Sequence, residues 1–185
     1  VCSSDLVIIN YHKLQFRNKF FVNFINGLVV RYSDNDINKL IKEPKILPDD
    51  WNTTKFKEVR GSKQKKLQVI GKDKHQFEII FRQSTFSNLD FSITLGIYPP
   101  NSNKLFHLKR YDGKHEHTNL IEGKRFYGFH IHTATERYQV YGIGKEDKYA
   151  ELTDRFIDLR QAFECMLRDC NFIKPNKSQL ELNLF

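Results

Sequence analysis

Phe91-Ser92-Ile93-Thr94-Leu95-Gly96-Ile97 gives the clearest fold signal in the sequence, because apolar side chains alternate along it with small or polar ones. An alternation with a period of two predicts a β-strand that buries one face. Residues 99–103 have turn composition, and residues 105–111 are predicted to return as the partner strand. Residues 67–70 and 77–81 flank a second turn and predict a hairpin. The middle of the chain is therefore predicted to form an antiparallel sheet.

Helical patterns lie on both sides of this sheet. Ser33, followed three residues later by an acidic residue, predicts the start of a short helix that ends before Pro44. Residues 154–170 carry an apolar stripe at helical spacing, and Thr153 is the candidate cap. Further strand candidates are residues 126–133 and 137–143. The expected fold class is α+β: an antiparallel β-sheet built from hairpins, with a C-terminal amphipathic helix packed on one face and a short N-terminal helix.

The first thirty residues are set apart from this pattern. Val1–Leu6 corresponds to the translation of a common sequencing adapter, which points to a gene assembled from environmental DNA, and residues 7–30 are rich in Asn, Phe and Ile. We expect residues 1–30 to be an artefact or an upstream extension, and residues 31–185 to form a single α+β domain. No apolar run approaches the ~20 residues of a membrane span.

Composition indicates a basic globular protein. The chain has 30 Lys and Arg against 22 Asp and Glu, and its 39% apolar and 14% aromatic content is too high for a disordered chain. Residues 55–75 are the most basic stretch, with eight Lys or Arg and two acidic residues. A solvated face is one interpretation, and a phosphate-binding patch is the other. The candidate nucleic-acid contacts are Lys63, Lys65, Lys66, Lys72, Lys74, Lys109 and Arg137.

Cysteine usage gives no sign of a zinc ribbon or a redox pair. The chain contains three cysteines, and none of them forms a CxxC pair. We therefore expect a cytoplasmic protein.

Clustering of histidine is the most informative feature. Five of the seven histidines lie between residues 107 and 132, namely His107, His115, His117, His130 and His132. His130 and His132 are two apart on a predicted strand and should project to the same side. His115 and His117 follow Asp112-Gly113, which has turn composition. If the two segments are neighbours, a polar surface forms from these imidazoles together with Arg110, Tyr111, Asp112 and Asn119.

Three interpretations fit such a surface. A metal-independent ribonuclease needs a base and an acid, for which His130 and His132 are candidates with help from His117. Arg110, with Lys109 or Arg137 as alternatives, would stabilise the phosphorane, and no cofactor is expected. Alternatively, the His-x-His pair with a third histidine or Asp112 would hold Zn²⁺ or Mn²⁺. The third interpretation is a structural cluster. The candidate catalytic residues are His130, His132, His117, Arg110 and Asp112.

Three short motifs in the chain resemble those of a known protein family. The runs Leu108-x-Arg110-Tyr111-Asp112-Gly113, His115-x-His117-x-Asn119 and His130-Ile131-His132 look like an uncharacterised bacterial and phage domain with an L-x-R-x-D, H-x-N and H-x-H core. More distantly, they resemble the TumE-like toxins of toxin–antitoxin systems. This resemblance implies a small basic protein acting on RNA and neutralised by a helix-turn-helix antitoxin. It covers residues 90–170 and implies that Arg110, Asp112, His117, His130 and His132 form the working surface.

Two function classes follow from the sequence. The first is a toxin-like, metal-independent endoribonuclease from a mobile or defence-related locus. The second is a non-enzymatic phage or mobile-element protein that binds nucleic acid or a host defence nucleoprotein, for example an anti-CRISPR inhibitor. A metal-dependent hydrolase is a third possibility.

Overall fold

The computed structural model describes residues 31–100, 102–142 and 144–175, and the expected artefact or extension at residues 1–30 lies outside this part. Two α-helices are formed there, α1 (Asp34–Lys42) and α2 (Leu159–Asp169). The strands are β1 (Lys45–Ile46), β2 (Lys57–Val59), β3 (Ser62–Ile70), β4 (Gln76–Ser84), β5 (Phe91–Ile97), β6 (Phe106–Asn119), β7 (Lys124–Thr133), β8 (Tyr149–Leu152) and β9 (Phe172–Ile173).

Within the described residues, β2 to β8 form one seven-stranded antiparallel sheet in which each strand pairs with the next along the chain. The short strands β1 and β9 pair in parallel beside it. The α+β class is confirmed, as are the predicted hairpin of β3 and β4 and the strand at residues 91–97.

The two helices begin where a side chain satisfies a free backbone N–H. Ser33 accepts a hydrogen bond from the Asp36 backbone N–H, so α1 starts where the sequence predicts. Helix α2 starts at Leu159, later than the predicted residue 154, because the side chain of Asp158 is the cap and accepts from the Gln161 N–H at 2.7 Å. The residues before this cap therefore belong to a loop.

One strand prediction is wrong. Residues 137–141 form a 3₁₀ helix instead of a strand, and Ile143 lies outside the described residues. The 3₁₀ helix is held in place by Tyr138, whose side chain is buried and whose hydroxyl donates to Glu122 at 2.7 Å. Gly142 ends the helix with a φ of 105°, a conformation that favours glycine.

Helix α2 packs across one face of the sheet and forms the core with it. The Phe163 ring lies edge-on to Phe81 at 5.0 Å between centroids. Phe156, in the loop before α2, contacts the rings of Phe91 and Tyr111. Burial of such side chains supplies about 1.5–3 kcal/mol each. Because this face holds the core, the opposite face of the same strands is left for polar residues.

Neither helix in the described part of the chain has the length and apolar character needed to span a lipid bilayer.

A buried lysine joins the ends of both helices. The Lys45 Nζ donates to the backbone carbonyls of Leu40, Ile41, Glu43 and Cys170, at distances from 2.8 to 3.3 Å. It also lies 4.4 Å from the centroid of the Phe77 ring. Carbonyls at helix C-termini lack partners within the helix and carry partial negative charge, so a cation stabilises them. Burial nevertheless lowers the pKa of Lys45 to about 8.

Replacing this lysine should therefore weaken the fold. We expect Lys45→Met to lower the free energy of unfolding by about 2–3 kcal/mol, because several buried carbonyls lose their donor. Urea denaturation measures the change. Lys63→Met, at an exposed position of β3, is the matched control and should stay within about 0.5 kcal/mol of the parent protein. Equal stability of the two variants would contradict this role of Lys45.

Candidate histidine site on β6 and β7

The register of β6 and β7 brings the predicted site residues together. Arg110 pairs with His132, and Asp112 pairs with His130. Residues directly opposite in an antiparallel pair share a face of the sheet. These four side chains therefore lie on one face, and Ile131, between the two histidines, faces the core. The expectation that His130 and His132 project to one side is confirmed.

A β-bulge adds two more histidines to this face. The pairing advances from Asp112 to His115 on β6 while it moves only from His130 to Gly128 on β7, so β6 contains one extra residue there. Since side chains alternate along a strand, an extra residue reverses the alternation. His115 and His117 consequently share the face of Asp112. The predicted turn at Asp112-Gly113 is wrong, because β6 continues through it.

Gly113 makes the bulge sterically possible. A Cβ added to it would lie 2.0 Å from the backbone oxygen of Leu89 and 2.9 Å from the backbone nitrogen of Phe91. The neighbouring Lys114 N–H donates to the same Leu89 oxygen at 2.8 Å. Only a residue without a side chain fits between these backbones.

The four imidazoles of His115, His117, His130 and His132 form a compact group, which we call the histidine site together with Arg110 and Asp112. Ring centroids of His130 lie 4.7 Å from His115, 5.3 Å from His117 and 4.9 Å from His132. The rings of His117 and His132 are 4.6 Å apart. His130 and His132 are 0% exposed, whereas the His115 side chain is 45% exposed. The site thus has a buried floor and a solvent side.

Backbone carbonyls determine where the ring protons of three histidines lie. The Nδ1 of His130 is 2.8 Å from the Gly128 oxygen, and the Nδ1 of His132 is 2.7 Å from the Asp147 oxygen. The Nε2 of His117 is 3.0 Å from the Lys148 oxygen. A carbonyl only accepts hydrogen bonds, so each of these nitrogens carries a proton. In the neutral rings, the other nitrogen keeps its lone pair.

Asp112 is the central carboxylate of the site. Its Oδ2 lies 3.2 Å from the His132 Nε2 and 3.7 Å from the Nε2 atoms of His130 and His115. The Arg110 Nε is 3.2 Å from the same oxygen, and its Nη2 is 3.0 Å from the His132 Nε2. The Asp112 Oδ1 and the His130 Nε2 are buried and have no hydrogen-bond partner. Unpartnered buried polar atoms are costly, which is typical of a functional site.

Within the described residues, two groups of side chains bring potential metal-ligand atoms close together. One ligand atom from each of His117, His130 and His132 lies within 4.8 Å of the others, and the same holds for Asp112, His115 and His130.

Burial and charge shift the protonation of the site. Burial is the largest influence on His130 and, with the neighbouring His132, lowers its pKa to about 4. Burial also lowers the pKa of His117. For Asp112, burial alone would raise the pKa, but contact with His132 and the charge of Arg110 lower it. Neutral rings of His117 and His130 beside an ionised Asp112 are therefore the favoured state near pH 7.

Sequence reasoning missed Asp147, which contacts the site from the loop at residues 144–148. Its buried side chain lies 3.6 Å from the Arg110 Nη1 and 3.5 Å from the His107 Nδ1. Burial opposes ionisation, but contact with His107 and the charge of Arg110 lower the pKa of Asp147 to about 2. No motif marks this residue, because its position depends on how the loop after the 3₁₀ helix folds back.

Of two further residues expected on the polar surface, one faces away from it. Tyr111 faces the core, where its hydroxyl donates to Asp169 on α2 at 2.9 Å. Asn119 is buried but contacts the site, because its Oδ1 lies 3.1 Å from the His117 Nε2. Its amide also bonds to both backbone groups of Ala150. Tyr111 therefore supports the core, whereas Asn119 helps to position His117.

The predicted nucleic-acid contacts are scattered over the molecule. Lys65 is buried and donates to the Trp51 carbonyl, so its ammonium is not available to a phosphate. Ion pairs hold Lys66 to Glu78, Lys109 to Asp169 and Arg137 to Glu122. Lys63, Lys72 and Lys74, on β3 and its hairpin turn, are exposed, as are the ion-paired Lys66 and Arg137. Two strands, β4 and β5, lie between β3 and β6, so the basic hairpin and the histidine site lie apart.

Together, these features define an α+β protein with a histidine-rich polar site on the sheet face opposite its C-terminal helix. No family model, no curated protein and no solved structure matches the chain. The resemblance to TumE-like toxins therefore stays a prediction.

A single methyl group at Gly113 should disrupt the site. We expect Gly113→Ala to lower the free energy of unfolding by about 3 kcal/mol or more, because the new Cβ collides with backbone atoms that cannot move aside. Gly123→Asn is the control: no atom lies within 4 Å of a Cβ there, and its φ of 63° is one that Asn tolerates. Urea denaturation should show a much smaller loss for this variant. A stable Gly113→Ala protein would contradict the described bulge.

Acid should weaken the protein through His130. The pKa is about 4 in the folded protein and 6.5 in an exposed histidine. An unfolded chain therefore binds a proton that the folded one does not, and stability falls as the pH drops from 6.5 to 4. The loss amounts to roughly 3 kcal/mol, to which the lowered pKa of His117 adds. Urea denaturation with EDTA present measures it. His130→Gln lacks this contribution and should show a shallower decline, and parallel curves would contradict the assignment.

Proposed function

We propose that the protein is an RNA-cleaving enzyme and that the histidine site is its catalytic centre. The observation that supports this proposal is the convergence of four imidazoles, one guanidinium and one carboxylate on one face of the sheet. Imidazole moves protons near neutral pH, and a guanidinium stabilises the negative charge of a phosphorane.

The solvent side of the site is where substrate is bound. His130 and His132, the acid and base predicted from sequence, have no exposed surface, so a phosphodiester cannot contact them directly. His115 is partly exposed, and its Nε2 faces the Asp112 carboxylate at 3.7 Å. This arrangement resembles a base held by an orienting carboxylate. We assign the transfer of a proton to His115, while the buried pair supports the site from below.

The proposed reaction is attack by the ribose 2′-hydroxyl on the adjacent phosphorus. The hydroxyl loses its proton to the base as its oxygen bonds to phosphorus. The bond to the 5′-oxygen breaks, and that oxygen takes up a proton from water on the solvent side of the site. The products are a 2′,3′-cyclic phosphate and a free 5′-hydroxyl. Arg110, held between Asp112 and Asp147, supplies the positive charge beside the phosphorane.

Two further cations lie on the same sheet face, Lys66 paired with Glu78 and Arg82 paired with Asp90, and an RNA phosphate would have to compete with these carboxylates. The register places Lys66, Ile80, Thr94, Arg110 and His132 in one row across β3 to β7. Arg82 lies in the next row, in line with Asp112. Strands are about 4.8 Å apart, so Lys66 is about 14 Å from Arg110, a distance that a short single strand can span. Sequence reasoning missed Arg82, although it alternates with the core residues Ile79 and Phe81.

The biological setting that fits this activity is a cytoplasmic toxin of a mobile or defence-related locus, with an antitoxin as its partner. A non-enzymatic protein that binds nucleic acid or a host nucleoprotein is the competing function. The two differ in turnover, which an assay on purified protein measures.

Replacing His115 should abolish most of the activity without unfolding the protein. We expect His115→Gln to lower the cleavage rate of end-labelled single-stranded RNA by about 10²–10⁴-fold, as for loss of a general acid or base. The matched control is His75→Gln, because the His75 side chain is also 45% exposed but lies against Glu43, away from the site. Gel electrophoresis with analysis of the product termini measures the rate and identifies the cyclic phosphate.

The competing function predicts a different outcome. Binding of RNA without cleavage of any RNA in a panel, by protein assayed both with and without added divalent metal, would overturn the enzymatic proposal. Equal cleavage rates for His115→Gln and His75→Gln would overturn the assignment of His115.

A further inference from the structure

We propose that His117, His130 and His132 bind a divalent transition-metal ion such as Zn²⁺, with Asp112 beside it. This inference deepens the proposed function by naming the cofactor of the same site, and it departs from the expectation of a metal-independent enzyme. It is carried by the spacing of the ligand atoms, by the hydrogen bonds behind them and by an unpartnered nitrogen on His130.

The spacing suits one ion. One ligand atom from each of the three histidines lies within 4.8 Å of the others. Two Zn–N bonds placed end to end span about 4 Å, so small rotations of the rings bring all three nitrogens to a common ion. His130 and His132 are fixed on adjacent same-face positions of β7, and His117 reaches them because of the bulge in β6.

Hydrogen bonds behind the rings select the protonation state that a metal requires. Metal-binding histidines usually donate their second ring N–H to a carbonyl or carboxylate. Here all three do so, to the carbonyls of Gly128, Asp147 and Lys148. The ring nitrogens not bonded to these carbonyls are the Nε2 of His130, the Nε2 of His132 and the Nδ1 of His117, and each offers a lone pair to an ion when its ring is neutral. The structure thus predicts which atom of each ring binds the ion.

The buried floor of the site contains atoms that lack a partner. The His130 Nε2 is fully buried and makes no hydrogen bond, and the same is true of the Asp112 Oδ1. An ion bound by the three histidines would satisfy the His130 Nε2. The Arg110 Nη2 lies 3.0 Å from the His132 Nε2, so the ion takes the place of the guanidinium at that nitrogen. Arg110 keeps its contacts with Asp112 and Asp147.

The donor set indicates the class of metal. Three imidazoles and one carboxylate favour Zn²⁺ and its first-row neighbours over Mg²⁺ and Ca²⁺, which prefer oxygen ligands. A bound ion of this class acts as a Lewis acid toward a phosphoryl oxygen. It would neutralise charge on the phosphate at the place where Arg110 and His115 reach solvent.

The test is a metal titration of the full chain, purified without a histidine tag and stripped with a chelator. We expect the protein to bind one equivalent of Zn²⁺, and Co²⁺ to give visible absorption bands of a four-coordinate site. His130→Gln and His117→Gln should each weaken Zn²⁺ binding by at least 100-fold. His75→Gln, with the same chemical change outside the site, should bind as the parent protein does.

Wild-type protein provides a measurement that needs no variant. In ¹⁵N NMR spectra of the histidine rings, Zn²⁺ should shift the Nε2 of His130, the Nε2 of His132 and the Nδ1 of His117. The proposal is overturned by the absence of saturable Zn²⁺ binding, by unchanged binding in folded His130→Gln protein, or by shifts at other ring nitrogens.

The outcomes separate this proposal from the proposed function. Binding of Zn²⁺ to the predicted nitrogens without RNA cleavage supports the metal site and removes the ribonuclease. RNA cleavage at an undiminished rate by chelator-stripped protein that binds no Zn²⁺ removes the metal site and leaves the ribonuclease.

Discussion

The extra residue in β6 is the constraint on which the candidate site depends. Arg110 and Asp112 would share a face with His130 and His132 in any regular pairing of β6 and β7. Without the bulge, however, His115 and His117 would point to the other face, because a strand alternates its side chains. The close approach of Gly113 to the Leu89 backbone therefore decides whether two or four imidazoles meet. A steric requirement at one position sets the chemistry of the whole site.

The polar site depends on burial elsewhere in the fold to offset the cost of removing its charged groups from water. Moving a charged group out of water costs several kcal/mol of solvation free energy, and pairing with an opposite charge recovers only part of this cost. Arg110, Asp112 and Asp147 are held at contact distances, yet each retains a buried atom without a hydrogen-bond partner. The aromatic layer between α2 and the opposite sheet face supplies the compensating burial. Proteins leave buried polar atoms without hydrogen-bond partners mainly where function requires it.

The sequence predicts most of the fold but only part of the site. Alternation at residues 91–97 and the cap at Ser33 are local signals, and both are confirmed. The histidines stand out by density alone, and the two-residue spacing of His130 and His132 predicts their shared face. Asp112-Gly113 was interpreted as a turn because turn composition does not distinguish a reversal from a bulge. Asp147 reaches the site through tertiary contact only, so no local pattern marks it.

Lys45 has a consequence for the order in which the chain assembles. Its ammonium joins the end of α1 to the Cys170 carbonyl, 125 residues later in the sequence. The pairing of β1 with β9 bridges a similar separation. Contacts between distant residues form late, because a long loop must close first. During synthesis on the ribosome, the hairpins of the sheet can pair as they emerge. Lys45 can bond to the Cys170 carbonyl only after α2 has been synthesised. We therefore expect the contact between Lys45 and the Cys170 carbonyl to form last. In an incomplete chain that lacks α2, the Lys45 ammonium stays in water.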